Sequence, residues 1–259
     1  MSKLLSHIVC SCFLIVLSCV SFCAHAQDTL TVTTTADTTA DYRFKPVQLV
    51  APAAAIVAGV ALSIDYDHGI NKWVDDGLGD ADKGRHTTAD DYLRFVPSVA
   101  HLTLGFAGVK SDYNFKERLV TSVTAHAITV ALAWGLKYSV SERRPDDSNH
   151  HSFPSGHAAI AFTGAELMRI EYGNAWGAVG YGVAALTSFL RLYNHKHWLG
   201  DVAVSAGIGI LSARIAHWML PFNRRWLGLN KQSHGATVAA APLYYPTQRA
   251  AGLSLYVQF

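Results

Sequence analysis

From about residue 46 to residue 220 the chain alternates between long apolar stretches and short polar connections. The apolar stretches run over roughly 46–64, 92–109, 117–140, 157–171, 175–191 and 198–220. Alanine, leucine and valine dominate them, and proline is nearly absent from their interiors. Each is long enough for several helical turns, so the pattern predicts an all-α bundle of about six core helices. The connection over 65–91 is polar and contains "DDGLGDADKG", which reads as a loop. Residues 28–41, "DTLTVTTTADTTAD", hold few large apolar groups and read as a linker or a weak strand. The pattern changes again in "ATVAAAPLYYPTQRAAGLSLYVQF", where alternation predicts a C-terminal β-hairpin with Leu253, Leu255, Val257 and Phe259 on one face.

A separate apolar run precedes all of this. Lys3 supplies a positive start, "IVCSCFLIVLSCVSF" an apolar core, and "AHA" at 24–26 a small-residue cleavage site before Gln27. That is a secretory signal; a lipoprotein signal with Cys19 after "VLS" and an uncleaved membrane anchor are the alternatives. Cys10, Cys12, Cys19 and Cys23 all lie inside it, so a cleaved chain has no thiol for a disulfide or a metal. The expected organisation is a signal peptide at 1–26, a polar linker at 27–44, a helical domain at 45–231 and a tail at 232–259.

Composition sharpens the class. Charged residues make up 15% of the 259 and hydrophobic ones 50%, where a soluble domain carries about a quarter charged. A membrane protein or a very compact helical one follows. A net charge of +2 without a long basic run argues against nucleic-acid binding, and no glycine-rich nucleotide fingerprint is present. The basic stretches "KSDYNFKER" and "PFNRRWLGLNK" place one face of the bundle inside if all six helices span, which starts residue 45 inside. A cleaved signal starts it outside. Glu166, Arg169, Glu171, Arg214 and His217 are costly in lipid, so some helices are expected not to span. In either arrangement the polar helix ends face the periplasm, on a protein integral to the inner membrane or peripheral to it.

Three polar clusters interrupt the apolar helices at their ends. Lys137 stands near the end of the third segment, with Arg144 and Pro145 after six further residues. Ser155, Gly156 and His157 follow Pro154 at the start of the fourth. Arg191 ends the fifth, and His197 and Asp201 follow in "LRLYNHKHWLGD". In an antiparallel bundle these ends share one pole. Two arginines and a lysine there make an anion site, because guanidinium forks match phosphate oxygens. The amides of Gly156 and His157 at a helix start add oriented donors. His197 and Asp201 are four positions apart, so the carboxylate faces the ring and leaves one ring nitrogen free for attack. His157 then stands ready to protonate a leaving oxygen. Plainer readings exist for each residue alone: Ser155 as a helix cap, Lys137 as a partner of the helix dipole, and Arg143 and Arg144 as a basic pair flanking a membrane.

Taken together, K-x6-RP, PSGH and R-x5-H-x3-D resemble the type 2 phosphatidic acid phosphatases, kin to vanadium haloperoxidases and bacterial non-specific acid phosphatases, over about residues 90–220. The resemblance implies a metal-independent phosphatase without a cofactor, working through a phosphohistidine intermediate. It implies His197 as nucleophile, Asp201 as its orienting partner and His157 as general acid. Lys137, Arg144, Ser155, Gly156 and Arg191 then hold the phosphoryl group. Leu190 departs from the serine usual before the third-motif arginine, which touches fine geometry rather than the reaction. His150, His151 and His195 lie outside the motifs and read as solvated loop residues. The expected substrate is an envelope lipid phosphate: lipid A first, then undecaprenyl diphosphate or a phosphatidate-type lipid. A broad periplasmic acid phosphatase, a vanadate-dependent haloperoxidase and a non-catalytic envelope protein with a vestigial anion site are the alternatives. Oligomeric state is left open.

Overall fold

A computed structural model describes residues 44–64, 67–78, 87–229, 237–245 and 250–258. The predicted signal segment and the linker before residue 44 lie outside them. A 3-10 turn, Pro46–Leu49, leads into α1 (Val50–Ser63). There follow α2 (Gly69–Gly77), α3 (Ala89–Leu93), α4 (Val96–Thr103), α5 (Phe115–Ser139), α6 (Gly156–Tyr172), α7 (Asn174–Tyr193) and α8 (Leu199–Trp226). This is the predicted all-α class. Two predictions need correction. The segment 92–109 is broken, because Pro97 cannot donate a backbone hydrogen bond and starts a new helix, α4, after a short α3. The supposed loop at 65–91 contains α2 and the start of α3. What holds α2 is polar rather than periodic: Asn71 donates to the Leu62 carbonyl at 2.9 Å and accepts from Gly200 N at 3.1 Å. That buried side chain ties α2 to α1 and α8.

Local signals fix the helix ends that matter. Asn114 caps α5: its side chain accepts from Glu117 N at 3.0 Å, and the Glu117 carboxylate accepts from Asn114 N at 3.2 Å. Gly173, at φ +85°, ends α6 and opens α7, a backbone state that favours glycine. The two helices therefore fold back on one another and pack extensively. Small residues bring α6 and α8 together: Ala158, Ala159, Ala161 and Ala165 of α6 have no exposed surface, and a Cβ on Gly209 of α8 would sit 2.6 Å from the Ala159 carbonyl oxygen.

Charge is buried in this core, and it is answered there. Glu166 of α6, fully buried, receives Arg169 through two 2.7 Å bonds, Tyr181 at 2.5 Å and Arg214 at 2.8 Å. Three of the charges that counted as costly in lipid thus lie against protein. Among the described residues, three helical stretches are long and apolar enough to cross a membrane: Pro46–Ser63, Phe115–Ser139 and Leu199–Trp226. On the first two, Val57, Val123 and Trp134 are largely exposed, the outward apolar surface a lipid-facing helix needs.

The chain divides into a unit up to Pro221 and a second from Phe222. In the second, β1 (Thr237–Tyr245) pairs antiparallel with β2 (Ala250–Gln258), in register from Thr237 opposite Gln258 to Tyr245 opposite Ala250. This is the predicted hairpin; Phe259 lies outside the described residues.

Removing a buried anion strands its cations. Glu166→Ala is expected to cost about 3–5 kcal/mol in unfolding free energy, measured by denaturant titration of the solubilised protein. A loss below about 1 kcal/mol would mean that water already screens the network.

Candidate active site

Two loops build the site. The first, 140–155, joins α5 to α6 and folds on itself: Arg144 N donates to Asn149 O at 3.1 Å and Ser152 N to Glu142 O at 3.0 Å. The second, 194–198, joins α7 to α8 and is stitched to the first. Asp146 N donates to His195 O at 3.0 Å, Trp198 Nε1 donates to Arg143 O at 2.8 Å, and Lys196 pairs with Asp146. Helix ends on both sides are thereby fixed against each other, as the predicted shared pole requires.

The pole brings together all the residues expected there. Lys137, in the last turn of α5, reaches back so that Nζ donates to His151 O at 2.7 Å. Arg191, in the last turn of α7, is buried and donates from Nη1 to Asp90 Oδ2 at 2.6 Å. The charge of Arg191 bears on Lys137, Arg144, His157 and His197 alike. Ser155 sits at the N-terminal boundary of α6, but its hydroxyl makes no cap bond. It is fully buried with an unpartnered Oγ, and the buried Nε atoms of Arg144 and Arg191 are unpartnered too. Buried donors are normally satisfied, and an anion bound at this pole would offer acceptors to them. Space beside the Gly156 Cα is open, so a ligand oxygen can approach the backbone there.

The histidines differ in surroundings. His197 is buried, and its Nδ1 lies 2.8 Å from the Ser152 carbonyl and 3.4 Å from Asp201 Oδ2. The shorter contact makes the Ser152 carbonyl the first acceptor of the Nδ1 proton. Asp201 is the second, and it is itself held by Ser152 Oγ at 2.5 Å and Trp198 N at 2.9 Å. Nδ1 is thus protonated and Nε2 is the nitrogen left with a lone pair. Burial pulls the His197 imidazole down to about 4, against the opposing hydrogen bond to Asp201, so the ring is neutral near pH 7. His157, at the start of α6, places Nε2 2.7 Å from Asp91 Oδ1 and 3.0 Å from Arg94 Nη1. Burial and then the Arg191 charge hold it below the ordinary imidazole value, while Asp91 pulls it back.

Several contributors were not legible as such. Asp90 and Asp91 lie in the stretch read as a loop and a helix start; adjacent acids there are the one signal that marks them. Ser152 lies between the first two motifs, and Glu142 is an unspecified position within the first. His150 and His151 are exposed, as expected. His195 is not a solvated loop residue: it is buried, with Nδ1 2.6 Å from Asp75 of α2, because α2 folds over this loop. Leu190, in place of a serine, is buried in the core. Asp90, Asp91 and His157 offer ligand atoms within 4.8 Å of one another. Each already has a counterpart: Arg191 and Asn194 for Asp90, and each other for Asp91 and His157.

Comparison with known proteins places this arrangement. The PAP2 superfamily signature matches residues 118–225, which hold all three clusters. A lipid A 1-phosphatase of Porphyromonas gingivalis is 32% identical over 183 residues, an alignment covering 69% of this chain and 40% of that protein. The chain therefore spans well under half the length of that relative. The crystal structure of Aquifex aeolicus LpxE aligns over 58% of this chain and 96% of its own, with 23% identity and a TM-score of 0.44. With the sequence match and the three clusters converging on one pole, the helical domain belongs to the PAP2 superfamily, the type 2 phosphatidic acid phosphatases.

Proposed function

We propose that the chain is a phosphatase acting on the phosphate ester of an envelope lipid, with a lipid A phosphate as the favoured substrate. The observation that carries the reaction is His197: a buried, neutral imidazole whose Nδ1 is engaged and whose Nε2 is free, beside cations with unpartnered donors. In the first step Nε2 attacks phosphorus; an N–P bond forms as the P–O bond to the lipid breaks. His157 passes its proton to the departing oxygen. In the second step His157 takes a proton from water, the water oxygen bonds to phosphorus, and the N–P bond breaks to release phosphate. Lys137, Arg144 and Arg191 neutralise the equatorial oxygens, with the Ser155 hydroxyl and the Gly156 amide as further donors. As the imidazole becomes cationic, Asp201 is the charge that stabilises it.

The lipid assignment draws on two supports. One is the similarity to a protein named as a lipid A 1-phosphatase. The other is an apolar cavity of about 540 Å³, lined by Ile56, Val60, Leu132, Leu136, Val204 and Ile208 from the three long apolar helices. Phe153 and Glu142 of the site loop complete its wall, so an acyl chain would lie beside the phosphate-binding pole. Removal of residues 1–26 and a periplasm-facing pole complete the proposed setting.

Three outcomes are expected. His197→Ala retains its fold by circular dichroism and loses phosphate release from lipid A by on the order of 10³-fold or more; an active, folded variant would sink the nucleophile assignment. Wild-type protein prefers lipid A to a water-soluble phosphate ester; equal turnover would instead mark a broad acid phosphatase. Asp90→Ala frees Arg191 from its anchor and lowers kcat/KM by on the order of tenfold to a hundredfold.

The pH profile follows from the two histidines. His197 attacks only when neutral, so kcat/KM falls as pH drops below about 4. His157 must be protonated to serve as acid, so the alkaline limb is its deprotonation. Asp91 supports the protonated ring, and Asp91→Asn is expected to move that limb to lower pH. An unmoved limb would assign it to another group.

A further inference from the structure

We propose that Glu142 is a protonated acid that donates a hydrogen bond to the Asp201 carboxylate, so that the two acids act as a singly charged pair positioning His197. The proposal deepens the phosphatase reading and rests on it for the role of His197. Glu142 lies two residues before Arg144, in the unspecified x6 stretch of the first motif. Its side chain is buried, and Asp201 has no exposed surface at all. One oxygen of each, Glu142 Oε1 and Asp201 Oδ1, is buried without any N–H or other O–H donor. Ser152 holds the two residues side by side, its amide donating to the Glu142 carbonyl at 3.0 Å and its hydroxyl to Asp201 Oδ2 at 2.5 Å, and each carboxyl acts on the other as a hydrogen-bonding neighbour. Two carboxylates cannot share such a contact unless one carries the proton.

Geometry decides which. Asp201 accepts from Ser152 Oγ and Trp198 N and lies within 3.4 Å of His197 Nδ1, so its charge is answered from several sides. Glu142 faces the apolar cavity, among Val140, Phe153, Leu136 and Ile64. The charged groups that bear on it are Asp201 of α8 and Lys137 of α5, and α1 contributes apolar side chains and Ser63. Lys137 already donates to His151 O. Burial, and then the charge of Asp201, push the Glu142 carboxyl up to about 9. The proton therefore stays on Glu142 near pH 7, and Asp201 Oδ1 gains its missing donor without a second negative charge beside His197. Glu142 touches no reacting atom; it acts through Asp201.

Infrared spectroscopy of the full chain in detergent tests the proton directly, independently of turnover. The carbonyl stretch of a protonated carboxylic acid is expected at pH 7, absent from Glu142→Gln, and lost from the wild type as pH rises through about 9. Activity tests the role. Glutamine keeps a donor and cannot ionise, so Glu142→Gln is expected to stay within about threefold of wild type, whereas Glu142→Ala falls by on the order of tenfold or more through the orphaned Asp201 oxygen. No difference in that band between wild type and Glu142→Gln would overturn the proposal. So would a Glu142→Gln protein that is folded yet as impaired as Glu142→Ala. If no variant, nor the wild type, turns over lipid A, the phosphatase reading fails while the infrared result still decides the proton.

Discussion

The carboxylate of Asp201 lies wholly out of water, and the site is arranged around meeting that charge. A buried anion is tolerable only where hydrogen bonds or counter-charges replace its hydration. Here Ser152 Oγ, the Trp198 amide and the His197 ring converge on one oxygen. The donors come from both site loops, so satisfying this single group forces the loops together. The position of the His197 ring is a by-product of that demand. Ser152 serves twice, its hydroxyl to Asp201 and its carbonyl to His197 Nδ1, and so fixes ring and carboxylate relative to each other.

The same rule governs the rest of the unit. Glu166 draws Arg169, Arg214 and Tyr181 around it and thereby joins α6, α7 and α8. Arg191 is anchored through Asp90, which Asn194 also contacts. Apolar packing between these helices combines alanine and glycine, which allow close approach, with large buried side chains such as Leu167, Met168 and Trp176. Register is also carried by the buried polar links, which accept few alternative arrangements. Two of the helices long enough to cross a membrane, α1 and α5, keep many of their apolar side chains outward instead.

How much of this can be read from the sequence depends on the range of the interaction concerned. The long apolar segments and the hairpin are local, periodic signals, and they emerge at nearly their observed bounds. The three clusters are recognisable because each sits at a helix end, where chain order alone implies a common pole. The break at Pro97 was also visible in principle, since proline opens helices as readily as it stops them. What stays hidden is the partner across the fold. Nothing near Asn71 says that it will bond to Gly200, nor near His195 that it will meet Asp75, because those pairings are separated by more than a hundred residues. Ser155 shows the opposite failure: locally it is a plausible helix cap, yet the fold leaves its hydroxyl unpartnered among cations.

The stitching of the two site loops has a further meaning. Trp198 to Arg143, His195 to Asp146 and His197 to Ser152 are three rungs between segments some fifty residues apart. Neither segment can lengthen or shorten without pulling the rungs out of step. Variation during evolution, or a transplant into another helical scaffold, therefore has to treat the pair as one inherited block.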